Sequence, residues 1–421
     1  MNSDNLQVMT AQWVLPVNQA PIPNGFMAWA DGQIVAVGPI AAMPSDWDSA
    51  APQPGTLLTP GLVNAHVHLE QSFPAPIPKG DDEPFSVWLL RVVGVLQANT
   101  DPQARWQRCF NGALEALSTG TTCVNDIASA PESLQALDAL GLRGVVSLEV
   151  FHPAASPVVI GHWVEKFQPM QQAYAAHSLL QVGLSPHSPY NVSPAAWQAL
   201  LEACRPPLVH THLAEFEDEA SYLQGQPSCI QELHQSILGR AFAPQDVAES
   251  PVFYLEQSGL LNPQTVVAHA LHTSPADRQL LANAGVSVAH CPRSNLALHG
   301  QTLTASDWEG LSMPTALGTD GRLSTENLDL RDEARCAMKH HGWTPQTALA
   351  ALTLQGARAL GLKERIGTLS PGKAADWVLW QAPTDASTSP AGGPEGLVFL
   401  PETEVARVAI DGQIRWTRGG Q

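Results

Sequence analysis

The chain of 421 residues lacks the features that mark nucleic-acid-binding, membrane-spanning and exported proteins. Only 21 residues are Lys or Arg against 39 Asp or Glu, which gives a net charge of −18. Because phosphate binding requires clustered basic side chains, this balance argues against nucleic acid and anionic membranes as partners. No run of eighteen apolar residues occurs, and no basic segment followed by an apolar one opens the chain. We therefore expect no membrane span and no export signal.

Cysteine is also scarce. The six cysteines are scattered, with no Cys-x-x-Cys pair and no short framework spacing. Free thiols in a reducing compartment follow from this pattern, and we expect a cytoplasmic protein. A content of 44% hydrophobic and 14% charged residues describes an ordinary globular chain with a large core.

Strand-like and helix-like stretches alternate through the middle of the chain. The apolar run 57–65 is the first of eight predicted buried strands, and the others cover residues 121–127, 143–150, 179–186, 207–212, 265–269, 286–290 and 314–319. Helical periodicity is clear in residues 104–118, 194–204, 275–284, 328–339 and 345–360. This alternation predicts an α/β fold, a (β/α)₈ TIM barrel over residues 57–362.

Both ends of the chain carry short β-like runs around dipeptides that predict turns. Asp31-Gly32 and Asp411-Gly412 each separate two such runs, as in a hairpin. The two β-rich ends predict one small β domain built from residues 1–56 and 363–421.

Polar residues follow the predicted strands at their C-terminal ends, where a (β/α)₈ barrel carries its functional groups. These residues are His66, His68, Asp126, Glu149, His187, His210, His212, His269, His290 and Asp320. These residues indicate a functional site because they coincide with the ends of predicted strands. The total of 15 histidines alone would not indicate one. Asp126 and Glu149 fit a structural role at the barrel mouth as well as a substrate contact.

The histidines at strand ends predict a metal site. Residues two apart share one face of a strand, so His66 and His68 reach one point and suit a divalent metal such as Zn, Fe or Ni. A catalytic metal needs at least three protein ligands. His210 and His212 share a face, and we prefer His212 because it lies nearer the mouth. Asp320 ends the eighth strand, beside the first in a closed barrel, and completes the set His66, His68, His212 and Asp320.

The predicted site holds one metal and supports hydrolysis. Two-metal barrel hydrolases often use a carboxylated lysine as the bridge, and none of the five lysines ends a predicted strand. A bound divalent cation lowers the pKa of water toward neutrality. Asp320 then takes the proton of the water, His269 orients the attacking oxygen, and Glu215 shuttles a proton to a ring nitrogen or leaving group. Removal of an exocyclic amine needs these steps.

Seven further histidines lie outside the strand ends, and we expect them at the surface or in loops. They are His152, His162, His177, His234, His299, His340 and His341.

Several motifs resemble those of the amidohydrolase superfamily, and the resemblance covers nearly the whole chain. They lie at residues 60–68, 120–122, 185–190, 212–215, 267–272, 290–295, 317–321 and 367–376. The resemblance implies a distorted barrel with a small β-sandwich built from both termini. It also implies a single divalent metal, Zn before Fe, with the residue roles given above.

Within that superfamily, His-Leu-x-Glu with the later His and Asp resembles the deaminase and chlorohydrolase branch. Residues 64–72 and 85–89 are similar to aminodeoxyfutalosine deaminases of menaquinone biosynthesis. This similarity implies deamination of 6-amino-6-deoxyfutalosine to futalosine and ammonia. It implies substrate contacts from Trp88 and His187, and we predict that Arg322 pairs with a carboxylate of the substrate. Ser86 stands where related deaminases carry an acidic residue that binds ribose.

Other activities of the same branch stay open. They are deamination of S-adenosylhomocysteine, methylthioadenosine or adenosine, and chlorohydrolase or amide hydrolase chemistry. A scaffold without enzyme activity is disfavoured because every predicted ligand is present. As partner the sequence predicts a small-molecule nucleoside, and it leaves homo-oligomerisation open.

Overall fold

The computed structural model describes residues 5–47, 49–303, 313–384 and 392–420. In chain order its strands are β1 Gln7–Val14, β2 Ile22–Ala30, β3 Gln33–Pro39, β4 Thr56–Pro60, β5 Leu62–His68, β6 Thr121–Ala128, β7 Arg143–Val150, β8 Leu180–Pro186, β9 Val209–Leu213, β10 Thr265–His269, β11 Ser287–His290, β12 Thr315–Leu317, β13 Asp320–Gly321, β14 Trp377–Gln381, β15 Glu404–Ile410 and β16 Gln413–Thr417. They form two sheets.

The larger sheet is parallel and contains the nine strands β5 to β13. Each strand from β5 to β11 pairs with the next along the chain, and β13 pairs with β5. Because β12 and β13 are separated only by residues 318 and 319, this run of chain joins both edges of the sheet. A Cβ at Gly318 would lie 2.8 Å from the His66 carbonyl oxygen, so glycine permits the close approach. The arrangement fits the predicted (β/α)₈ barrel.

Helices alternate with these strands. They are α1 Phe85–Ala98, α2 Pro102–Ser118, α3 Glu132–Leu140, α4 Pro157–Ala173, α5 Pro194–Cys204, α6 Asp218–Leu223, α7 Cys229–Leu238, α8 Pro251–Gln257, α9 Pro275–Asn283, α10 Pro292–His299, α11 Leu330–His341, α12 Pro345–Ala350 and α13 Gly356–Ala359. Four of them, α4, α5, α8 and α9, begin with a serine whose side chain accepts a backbone N–H, followed by proline. The predicted helix 345–360 is interrupted by a π-helical segment, Ala351–Gln355.

The smaller sheet combines both ends of the chain, as predicted. Its strand order is β16-β15-β14-β4-β1-β2-β3, and only β1 and β4 pair in parallel. The two predicted turns join β2 to β3 and β15 to β16. Asp31 and Gly32 have positive φ angles of 51° and 78°, which a tight hairpin of this kind requires. The sandwich architecture and the domain boundaries stay predictions.

The prediction of one strand over residues 57–65 was wrong. The structure places β4 in the smaller sheet and β5 in the barrel, with Gly61 between them. The N–H of Gly61 donates to Asp376 O, whereas the N–H of Leu62 donates to Gly120 O in the barrel. A Cβ at Gly61 would lie 2.0 Å from Thr122 Oγ1, so a side chain does not fit there. Since both strands are buried on both faces, the apolar pattern carries no sign of the change of sheet.

Small apolar side chains fill the barrel interior below the strand ends, and they include Val63, Ala65, Cys123, Val145, Val266, Ala289 and Ala316. The barrel interior below the strand ends is therefore a packed core. All six cysteines are free thiols. In the described part of the chain, no helix has both the length and the apolar character needed to cross a membrane.

Candidate metal and active site

The four predicted metal ligands meet at the C-terminal end of the barrel. His68 Nε2 lies 3.3 Å from His212 Nε2, and Asp320 Oδ1 lies 3.4 and 3.6 Å from Nε2 of His66 and His68. Ligand atoms about 2.0–2.2 Å from one tetrahedral Zn ion are about 3.3–3.6 Å from one another. The observed separations therefore fit one tetrahedral metal ion.

The state of the imidazoles agrees with metal binding. Burial lowers the pKa of His68 well below its usual value, and the neighbouring His66 lowers it further, so the ring is neutral. Neutral imidazole is the form that binds a metal. Both ring nitrogens of His66 are buried without a hydrogen-bond partner among the described residues. Buried polar atoms are nearly always paired, and a metal ion would supply the missing partner of Nε2.

Neighbouring groups orient two of the ligands. The Nδ1 atom of His212 lies 2.9 Å from the His187 carbonyl oxygen, so Nδ1–H donates and Nε2 presents its lone pair to the site. The Oδ2 atom of Asp320 accepts hydrogen bonds from the hydroxyls of Ser294 and Ser324 at 2.6 and 2.8 Å. The other oxygen, Asp320 Oδ1, therefore faces the Nε2 atoms of His66 and His68. Asp320 has a φ angle of 58°, a strained conformation of the kind that concentrates at functional sites.

His210, the alternative ligand, lies deeper in the barrel. Its ring is fully buried and stacks on His66 with 4.8 Å between ring centroids. It belongs to no group of described side chains close enough to share a metal ion, whereas His212 belongs to two such groups.

His269 faces the same point from the end of β10. Its Nδ1 lies 2.9 Å from Asn295 Oδ1, so Nδ1–H donates to the amide oxygen and Nε2 is turned toward the site. A ring nitrogen of His269 lies within 4.8 Å of ligand atoms of His66 and His212. The Nε2 atom is also 3.8 Å from Glu215 Oε1, so the two side chains predicted to handle the water and its protons are neighbours.

Glu215 is an ionised carboxylate next to two histidines. Burial alone would raise its pKa, but the neighbouring His269 and His299 hold that pKa at about 2. The Nε2 atom of His299 lies 3.7 Å from Glu215 Oε1. Glu215 is therefore ionised, which is the form of a carboxyl group that has a free site for a proton.

The expectation that His299 lies at the surface was wrong, because its side chain is only 7% exposed. His234 and His341 are also buried, and His341 contacts His290 at 3.2 Å between Nε2 atoms. All three occur within helices, at the end of α10 and in α7 and α11. Strand-end registration gives no information on helical residues, although their 3.6-residue periodicity marks which helix face is buried.

A second carboxyl group supports the backbone at Glu215. Glu219, in the first turn of α6, accepts hydrogen bonds from the N–H groups of Ala214 and Glu215 at 2.9 and 2.7 Å. Ala214 has a φ angle of 50°, which is uncommon for a residue with a side chain. Glu219 is fully buried and does not line the cavity. It positions Glu215 without reaching the reacting groups.

Trp88 and His187 line a cavity of about 120 Å³ next to the ligands, together with Phe85, Leu89, Val92, Phe151, Tyr190 and Ile237. The Trp88 Nε1–H donates to Ile77 O at 2.8 Å, which fixes the ring in the wall. Ligand pockets are usually at least about 300 Å³. A nucleoside can therefore enter only if lining side chains move.

Arg322 does not line this cavity. Its Nη1 lies 3.0 Å from Glu115 Oε2, and its Nη2 donates to Glu326 O at 2.9 Å. The structure thus places the guanidinium in an ion pair, outside the group formed by the other predicted site residues.

The structure separates the roles of the two carboxyl groups that the sequence left open. Asp126 accepts hydrogen bonds from Leu69 N–H and from the Ser133 hydroxyl, which makes it part of the barrel framework. Glu149, at the end of β7, lines the cavity, and its Oε1 is buried with no hydrogen-bond partner in the part of the chain that the structure describes. Burial, followed by the charges of Glu70 and Asp126, raises the pKa of Glu149 to about 8.

Comparisons with known proteins agree with this geometry. The model of the family described as "Amidohydrolase family" matches residues 57–415. The 5-methylthioadenosine/S-adenosylhomocysteine deaminase of Desulforudis audaxviator is 30% identical over 387 residues, which are 88% of this chain and 83% of that protein.

Solved structures show the same fold. An adenosine deaminase from Xanthomonas campestris, with bound zinc, has a TM-score of 0.80 and 28% identity, covering 97% of this chain and 92% of its own. The aminofutalosine deaminase of Helicobacter pylori has a TM-score of 0.82 over 97% of this chain and 99% of its own. Its sequence identity of 20% supports the likeness of fold alone.

Proposed function

Since the chain belongs to the amidohydrolase family and is a hydrolase that acts on C–N bonds, we propose that it removes the 6-amino group of an adenine nucleoside as ammonia. The observation that carries this proposal is the carboxylate of Glu215. It lies 3.8 Å from His269, beside a three-histidine, one-aspartate ligand set of which it is not a member. Deamination needs such a group, because the ring nitrogen and the leaving amine must both receive protons.

The roles of the chain's own residues follow from their positions. His66, His68, His212 and Asp320 would hold one divalent metal, zinc as first choice and iron as second. The metal, when bound, supplies Lewis-acid activation of water. Asp320 accepts a proton from the attacking water, and His269 orients its oxygen toward C6 of the purine.

Glu215 carries the protons to the substrate. It first takes one proton from the attacking water and passes it to the purine ring nitrogen N1 while the C6–O bond forms. The second proton of the water, accepted by Asp320, then passes by way of Glu215 to the amine while the C6–N bond breaks. Water thus adds oxygen at C6, and ammonia leaves. Because water is consumed and ammonia released, no oxidant or second substrate is needed.

Two substrate candidates differ in what the sugar carries. The segments around Glu70 and Trp88 favour 6-amino-6-deoxyfutalosine, and Trp88 lies in the cavity wall. The Desulforudis relative, at 30% identity, favours methylthioadenosine or S-adenosylhomocysteine. An Arg322 contact with a futalosine carboxylate would require its ion pair with Glu115 to open.

The test is ammonia release by the purified, zinc-loaded chain. The panel contains 6-amino-6-deoxyfutalosine, methylthioadenosine, S-adenosylhomocysteine, 5′-deoxyadenosine, adenosine, guanine and cytosine. We expect activity on at least one adenine nucleoside, and loss of that activity in Glu215→Gln with metal content unchanged. If no adenine nucleoside releases ammonia but a chlorinated triazine releases chloride, the chlorohydrolase alternative replaces this proposal.

A further inference from the structure

Glu149 is a cavity-lining carboxyl group that the proposed reaction does not use. Its Oε1 is buried and has no hydrogen-bond partner among the described residues. One of its carboxyl oxygens lies within 4.8 Å of ring nitrogens of both His187 and His212. A buried carboxyl oxygen without a partner costs free energy, so its place in the cavity wall calls for a group that pairs with it, and a bound substrate is one such group.

Strand order gives the position of Glu149 relative to the reacting groups. Glu149 and His187 lie at the C-terminal ends of β7 and β8, whereas Glu215 and His269 lie at the C-terminal ends of β9 and β10. Strands that follow one another in the chain are neighbours in this sheet, so β7 and β8 lie beside β9 and β10. The ends of β9 and β10 form one wall of the mouth, with the reacting groups, and the ends of β7 and β8 form the adjoining wall, with Glu149. A substrate whose reacting carbon faces the first wall presents another part of itself to the second.

The chemistry of the substrate restricts which part this is. An adenine nucleoside carries few hydrogen-bond donors, namely the 6-amino group and the sugar hydroxyls. The 6-amino group must lie beside Glu215 and His269 in order to leave. The hydroxyls are then the donors that remain for the carbonyl oxygen of the Glu149 carboxyl group on the adjoining wall.

We propose that Glu149 binds a sugar hydroxyl of the substrate and makes the enzyme selective for nucleosides that carry it. This inference rests on the proposed function. In this proposal a residue at the end of β7 binds the sugar, and residues at the ends of β9 and β10 catalyse the deamination.

The test compares Glu149→Leu and Glu149→Gln with wild type in the zinc-loaded, full-length protein. The substrates are the best nucleoside of the panel and its 2′-deoxy and 3′-deoxy analogues, and the readouts are kcat/KM, bound zinc and thermal stability. Glu149→Gln keeps the side-chain length and one carbonyl acceptor. The exposed Glu202 of α5, changed to leucine, is the matched control.

We expect Glu149→Leu to lower kcat/KM for the fully hydroxylated nucleoside by at least about tenfold, as for a lost hydrogen bond between buried groups. The analogue that lacks the bound hydroxyl should lose less than about twofold, so the selectivity of the enzyme for that hydroxyl disappears. Glu149→Gln should lie between these values, and Glu202→Leu should match wild type.

Three outcomes would overturn the inference. An equal loss with every sugar would mean that Glu149 only supports the structure. A drop in bound zinc would mean that Glu149, with His187, takes part in metal binding. Unchanged kinetics would mean that no contact exists. If wild type itself deaminates no adenine nucleoside, the proposed function fails as well, which distinguishes that case from failure of the Glu149 assignment alone.

Discussion

Replacement of Glu219 by glutamine tests whether the proton-transferring residue is positioned by a group outside the cavity. The two carboxyl oxygens of Glu219 accept the N–H groups of Ala214 and Glu215 at 2.9 and 2.7 Å. Glutamine has nearly the same shape but only one side-chain oxygen. In Glu219→Gln one of the two backbone N–H groups therefore faces an NH₂ group, and a hydrogen bond is lost.

The size of the effect follows from burial. A buried N–H left without an acceptor costs about 1–3 kcal/mol, and Glu219 is fully buried. The backbone can avoid part of this cost by shifting at Ala214, whose φ angle of 50° is already unfavourable. A displacement of about 1 Å at a catalytic group lowers the rate by about 10²-fold. We expect kcat to fall about 10- to 100-fold and KM to change by less than about threefold, because Glu219 does not line the cavity.

The assay measures kcat and KM on the best nucleoside, bound zinc, and the free energy of unfolding in urea. The exposed neighbour Glu217, changed to glutamine, is the control, and it should retain wild-type kinetics. An unchanged kcat in a folded, zinc-loaded Glu219→Gln variant would refute the reasoning. A rise in KM at constant kcat would also refute it, since that pattern belongs to a substrate contact.

Three further predictions concern the metal, the orientation of His269 and the pH dependence of stability. Removal of the metal with a chelator should abolish ammonia release and lower the melting temperature, and zinc should restore both; activity that survives in metal-free protein would contradict the assigned site. Asn295→Leu removes the acceptor 2.9 Å from His269 Nδ1 and should lower kcat about 10- to 100-fold with zinc still bound; kinetics equal to wild type would show that this bond does not orient the ring. Burial raises the pKa of Glu149 from 4.5 to about 8, so in this window the folded state keeps a proton that the unfolded state has lost, and stability falls as pH rises. Glutamine does not titrate, so the free energy of unfolding in urea of Glu149→Gln, minus that of wild type, should increase between pH 4.5 and about 8. A difference that stays constant over this range would exclude the raised pKa.

Residues at strand ends could be predicted because two simple rules place them. A strand has a two-residue period, and parallel barrel strands all end at one mouth. These rules bring His66 and His68 to within reach of His212 and Asp320, as the distances of 3.3–3.6 Å show. The same rules fail where one apolar run serves two sheets, as at Gly61, because burial on both faces removes the alternation on which they depend.

Residues on helices and loops could not be predicted in this way. Asn295 and His299 both lie on α10, and the packing of this helix on the barrel brings them to His269 and Glu215, two residues of the proposed site. That packing depends on the crossing of whole elements, which no local period encodes. Glu219 is a similar case, since its role depends on the left-handed backbone at Ala214. The interval of four residues between Glu215 and Glu219 is visible in the sequence, but it is also an ordinary helical spacing.

Relatives can therefore reveal more about the reaction, which depends on residues at strand ends, than about the substrate, which depends on residues of helices and loops. The ligand set and Glu215 are placed by barrel strands, so a protein 30% identical over most of the chain can share them and the reaction they support. The cavity wall is built from Phe85 and Trp88 on α1, with Glu149 at one strand end. Helix α1 lies between β5 and β6, and loops and helices of this kind vary more than the strands they connect. The identity of the nucleoside must therefore be determined on this chain with the ammonia-release panel, because the candidate nucleosides share the 2′- and 3′-hydroxyls and differ at the 5′ position of the sugar.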